Sequence, residues 1–264
     1  MARAELRRLI ERSSHLWAGE AEIVRSYFGS PGRSVASDLR WIARQAYKEL
    51  WDGVAVQLGR LERALTGAMG AGADALTDAA GLLSSELSHY RLFADLHEAL
   101  RGPADAPLAL EELRAVWSWP ENDALRRVRE VHVARHGELG RRAMRFTEGG
   151  YATLFEEGRR LRGRGGADDR IAEVCEQLHG DEFEHMLAGI AGLELDSLAA
   201  DDWARLEEMV LEQLRARLHM RDAQFEHPVS RDRLGALCAG SCEPLPFDYA
   251  RAERLASAGT FPAA

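Results

Sequence analysis

Two stretches of this sequence set a glutamate and a histidine one helical turn apart on a segment whose apolar residues recur at the same period. In Glu182–Phe183–Glu184–His185 the offset of three puts the carboxylate and the imidazole on one face, which Ile171, Cys175, Leu178, Met186 and Gly189 extend. Glu86–Leu87–Ser88–His89 repeats the offset 96 residues earlier, among Ala79, Leu82, Leu83, Tyr90, Phe93, Leu96 and Leu100. Ionisable groups aimed at the apolar side of a helix are costly without a partner. Carboxylate oxygen and imidazole nitrogen together suit a divalent metal. A chain carrying the pattern twice is therefore constrained to bring two such helices to a common interior point.

The rest of the chain is suited to helix. Ala, Leu, Arg and Glu are abundant, β-branched residues are few and there are only 8 prolines, a helical composition. At 264 residues the chain is long enough to bury a substantial core. A formal net charge of −9 gives no overall basic field to draw it to nucleic acid or an anionic membrane. The cysteines, Cys175, Cys238 and Cys242, make no disulfide framework. Cys175 falls on a core face, and Cys238 and Cys242 lack the second pair that a tetrahedral zinc site needs. No apolar run reaches signal-peptide or membrane-spanning length, so the sequence reads as soluble and cytoplasmic.

Apolar periodicity and Gly/Pro punctuation lay out the helices. A first helix spans about 4–28 and ends at Gly29–Ser30–Pro31–Gly32. A long one follows over about 35–65, its stripe formed by Leu39, Ile42, Ala43, Ala46, Leu50, Val54, Leu58 and Leu61, and then the helix of Glu86 and His89, about 74–100. A crossover with a short helix near 110–117 leads to Pro120, which opens a helix running to about 161. The helix of Glu182 and His185 spans about 168–193, another covers about 201–224, and the remainder is short or irregular. Two long hairpins joined by a crossover predict an all-α single domain over 1–264: a four-helix bundle over 35–195, preceded by an N-terminal helix (1–34) and followed by a C-terminal addition (196–264).

Hairpin geometry locates further inward carboxylates. With the second turn centred near Gly165, the position level with Glu182 and His185 lies near 148, where Glu148 shares a face with Met144, Tyr151 and Phe155. The same spacing of 34 in the first hairpin lands on Asp52. At about 100° per residue, however, Glu49 lies one step from Leu50 of the stripe and Asp52 two steps, so Glu49 is the first choice and Asp52 the second. Glu176 and His179 make a third pair at the same offset, but Glu176 is off the Ile171, Cys175 and Leu178 stripe.

The set Glu49, Glu86-x-x-His89, Glu148, Glu182-x-x-His185 resembles the ferritin-like di-iron or di-manganese carboxylate superfamily, in which two helices give one Glu each and two give Glu-x-x-His. The resemblance covers roughly residues 35–195. It implies that Glu86 and Glu182 bridge two metals, that Glu49 and Glu148 are terminal carboxylates, and that His89 and His185 each give a nitrogen. Asp181 fits the Asp-Glu-x-x-His form, in which the Asp holds a ligand histidine from behind, here His89. The matching position in the other helix is Ser85, a departure from the symmetric pattern.

The resemblance further implies two Fe ions, with Mn as an option, and O2 as co-substrate. The expected activity is that of a non-haem di-iron oxidase or oxygenase acting on a small organic substrate in a pocket walled by Leu50, Phe93, Met144, Tyr151 and Phe155. An electron donor and a homodimer are compatible with it. A ferroxidase, a manganese catalase and a tRNA-modifying di-iron hydroxylase use similar donors. The extra N-terminal, crossover and C-terminal segments weigh against a ferritin cage.

Overall fold

The computed structural model describes residues 2–66, 73–111, 113–193 and 198–258, and at a few helical positions, His185 and Glu184 among them, the backbone alone. These residues form helices, with no strand among them. In chain order the helices are α1 (Ala2–Phe28), α2 (Val35–Lys48), a π turn (Glu49–Val54), α3 (Ala55–Leu65), α4 (Ala73–Leu100), α5 (Leu113–Trp117), α6 (Pro120–His136), α7 (Glu138–Thr147), a 3-10 turn (Gly149–Ala152), α8 (Thr153–Arg159), α9 (Gly166–Ala188), α10 (Ala200–Gln224), α11 (Arg231–Cys238) and α12 (Tyr249–Ala258). Among the described residues no helix is long and apolar enough to cross a membrane.

Contacts divide the chain into two compact units. The described residues of the first come from the stretches Met1–Pro31, Trp119–Leu161 and Cys175–Pro262; those of the second come from Gly32–Ser118 and Arg162–Val174.

In the first unit α10 is the central helix, packed on α1, α6 and α7, while α1 also meets α8 and α11. Trp17, Ile23, Phe146, Val210, Leu214 and Leu218 belong to one buried cluster, each large side chain worth about 1.5–3 kcal/mol by removal from water. The Trp17 ring stacks on Tyr151 at 4.9 Å, on Phe247 at 5.7 Å and on Phe146 at 5.8 Å. Within this core Glu20 accepts from Arg217 Nε and Arg221 Nε, both at 2.8 Å, all three side chains being buried. Burial by itself would raise the Glu20 carboxyl, yet the two guanidinium groups outweigh it and hold it below its ordinary value.

The expected single helix from Pro120 to about residue 161 is instead three helices and a turn. Pro120 does occupy the first turn of α6. The chain then breaks at Gly137 (φ 56) and again after Glu148, where Gly150, Tyr151 and Ala152 take φ of 54, 60 and 53. Left-handed backbone costs a residue with a Cβ roughly 1–2 kcal/mol. Gly150 is needed on a second count, because a Cβ there would overlap Arg217 Nε and the Glu20 carboxylate. The buried ion pair thus reaches the backbone of the turn, and an unbroken helix would displace it.

In the second unit α4 packs on α2, the π turn and α3, and α5 packs on α2. Ser34 caps α2, accepting from Ser37 N at 3.2 Å while Ser34 N donates to Ser37 Oγ at 2.9 Å, a reciprocal capping box. Arg33 grips Asp38 through two bonds of 2.9 and 3.0 Å and pairs with Asp168, at the start of α9, at 2.7 Å. Trp41 Nε1 donates to the same Asp38, and its ring receives the edge of Phe93 at 6.3 Å. Leu58, expected in the buried stripe, is 51% exposed, while Gln57 and Ala64 are buried. α3 packs chiefly on α4, and a helix with one principal neighbour covers a narrower strip than a 3.6-residue count assigns it.

Candidate metal centre

The helix from Val35 to Leu65 is continuous but changes its winding at Glu49, where six residues form a π turn. Such wide turns hold an extra residue and are frequent at functional sites. Glu49 is the first residue of the turn and is 3% exposed. One helical turn earlier, Gln45 donates its amide N–H to Glu49 Oε1 and fixes that carboxylate. On α4, Glu86 and His89 are both buried and share a face, His89 Nδ1 lying 3.9 Å from Glu86 Oε2. Ser85 Oγ stands 3.3 Å from His89 Nε2. Gly53, in the π turn, leaves room for the Glu86 carboxylate, since a Cβ there would overlap Oε2 and lie 2.9 Å from Cδ.

On α9 Glu182 is buried. One ligand atom each from Glu49, His89 and Glu182 lie within 4.8 Å of one another, the group of three buried donors that the described residues offer to a metal ion. Two donors bound to one ion at about 2.0–2.2 Å stand roughly 3–4 Å apart, so small side-chain adjustments separate this spacing from a coordinated one. A divalent cation placed between two carboxylates is attracted by both. This donor set, carboxylate oxygen with one imidazole nitrogen, suits a divalent metal ion.

The other residues singled out from the sequence lie as follows. The His185 side chain is outside the described part. Glu148 is half-buried at the C-terminal cap of α7 with extended backbone (φ −65, ψ 145), and it is not in the three-residue group. The hairpin count that selected it assumed helix through this position, and the chain leaves the helix there. Asp181 is exposed. Asp52 is half-buried within the π turn. Glu176 is exposed, 3.6 Å from Arg159, while His179 lies 3.4 Å from Glu156 and stacks on Phe183.

Of the expected wall residues, Phe93 and Phe155 are buried and Leu50 and Met144 half-buried. Tyr151 is half-buried, 5.4 Å from the Phe183 ring, with its hydroxyl donating to the Pro246 carbonyl at 2.9 Å. Sequence reasoning did not find the supporting residues Gln45 and Gly53. Gln45 sits four residues before Glu49, a spacing that was available as a signal; nothing in the sequence marks Gly53 as facing Glu86.

The chain matches no protein-family model, no curated protein and no solved structure. What stands is an all-helical protein with a buried Glu49, His89 and Glu182 group able to hold a metal ion.

Proposed function

We propose that the protein is a non-haem di-iron oxidase or oxygenase of the ferritin-like type. The observation that carries this reading is the convergence of Glu49, His89 and Glu182, three buried donors from distant parts of the sequence, within 4.8 Å of one another. Glu86, buried one turn from His89 on α4 and 3.9 Å from its Nδ1, adds a further carboxylate beside that histidine. Bound iron, or manganese in its place, would supply the electrons and the open coordination position for reducing O2.

The protein's own part is positioning and exclusion of water. Gln45 holds Glu49, Ser85 steadies the His89 ring, and the missing side chain at Gly53 keeps Glu86 in place. Phe93, fully buried on the same helix as Glu86 and His89, keeps that side apolar. A small organic substrate and an external electron donor complete the reaction.

Metal analysis of protein purified without chelator tests the proposal. Two equivalents of iron or manganese are expected, lost in Glu49→Ala and in Glu182→Ala while the helical circular dichroism is kept. Ferrous protein loaded without oxygen should develop ferric absorption when O2 is admitted. Oxygen release from peroxide by the manganese form would point instead to a catalase, and a large hollow assembly to iron storage. Absence of bound metal, or one equivalent unchanged by both substitutions, overturns the assignment.

A further inference from the structure

A second feature lies wholly within the first unit. An opening of about 270 Å³ sits among α1, α10 and the C-terminal end of α11, lined chiefly by Arg12, His15, Leu16, Leu211, Arg215 and Cys238. The chain has 43 acidic against 34 basic residues, yet among the described residues no acidic side chain lines this opening and two guanidinium groups do. Arg12 pairs with Glu207, which also accepts from Arg8, and Arg8 pairs in turn with Glu5 at 3.0 Å, so the positive charge left over at the opening is that of Arg215. Arg215 donates from Nε to the Cys238 carbonyl at 3.2 Å, a neutral acceptor that fixes the plane of the guanidinium at the mouth. His15 donates from Nδ1 to the Cys242 carbonyl at 2.7 Å. Leu16 and Leu211 are buried and give an apolar wall. The Cys238 thiol stands 3.6 Å from His219 Nε2.

We propose that this opening binds a small organic carboxylate, with Arg12 and Arg215 holding the carboxylate and Leu16 and Leu211 the apolar body. A planar guanidinium matches a carboxylate in shape and charge. The volume falls just below the roughly 300 Å³ at which pockets for drug-sized ligands begin, which limits the ligand to a few carbons. The site stands apart from the Glu49, His89 and Glu182 group and does not depend on the function proposed for it.

Cys238 is a reporter built into the site. Iodoacetate and iodoacetamide both alkylate a thiolate by displacing iodide and differ in charge; the folded protein is alkylated, and the rates at Cys238 and Cys242 are read separately by fragment mass spectrometry of the peptides after digestion. The expected result is that the iodoacetate-to-iodoacetamide rate ratio is about fivefold higher at Cys238 than at Cys242 at low salt, and falls as salt is added. Arg215→Gln, a change at an exposed side chain, should bring the two cysteines to the same ratio, an unchanged Cys242 rate showing that the fold is kept. Equal ratios in the unaltered protein, or a preference that survives Arg215→Gln, overturn the proposal.

Discussion

Glu20, Arg217 and Arg221 form one buried polar group, and Glu49, His89 and Glu182 form another, and the two differ in what each carboxylate faces. In the first, a carboxylate accepts two charge-assisted bonds of 2.8 Å from arginines of the same chain. In the second, two carboxylates and an imidazole present their ligand atoms to one another. A carboxylate bracketed by arginines of its own chain serves folding; carboxylate and imidazole donors converging on one point also suit a cation from solution. The contrast teaches that burial of a charge is not by itself a sign of function. The kind of neighbour, guanidinium groups or further metal-ligating atoms, is what distinguishes the two groups.

The largest test of this contrast is Glu20→Ala, which leaves two buried guanidinium groups without their carboxylate and should cost about 3–5 kcal/mol, read as a lowered urea midpoint. The same measurement on metal-free Glu182→Gln should show a smaller loss, because the amide keeps the shape and the hydrogen-bonding capacity of the carboxylate. A comparable loss in both would break the distinction. Next in size is the response to metal. Ferrous or manganous ion at a hundred times its Kd should stabilise the unaltered protein by about 2.7 kcal/mol and leave Glu182→Gln unmoved in thermal unfolding.

Gly150→Ala should cost about 2 kcal/mol, combining left-handed backbone with displacement of the Glu20–Arg217 pair; the matching change Gly53→Ala should weaken metal binding more than it lowers the metal-free melting temperature. The last effect is a pH slope, absent at neutral pH. Burial pushes the Cys175 thiol up to about 12 from an ordinary value of 9.0, against the pull of Arg221. The folded protein therefore holds this proton where the unfolded chain has released it. Stability from this group is complete below pH 9 and falls as pH rises toward 12, by up to about 1.4 kcal/mol per pH unit. The difference in unfolding free energy between the unaltered protein and Cys175→Ala, followed across that range, isolates the slope.

Much of the helical layout was legible because each long helix carries an apolar stripe closed by Gly or Pro, and α1, α4 and α10 begin and end within about two residues of the positions read from the pattern. The choice of Glu49 over Asp52 rested on the direction of a side chain relative to Leu50, and Glu49 is the carboxylate found among the buried donors. The 120–161 stretch was misread because apolar periodicity continues through Glu148, while the break is imposed by the ion pair beneath Gly150. The adjacent Gly149 and Gly150 were the available warning. Glu20, Arg217 and Arg221 could not be paired from sequence, since some 200 residues separate α1 from α10 and only packing brings them together.

The π turn at Glu49–Val54 behaves as a one-residue insertion in an otherwise ordinary helix. Excising a single residue from it, at Leu50 for example, would let the strand of hydrogen bonds close normally while α2 and α3 keep their seats on α4. The shortened chain would then be a twin scaffold that folds alike but has lost the ledge on which Glu49 stands.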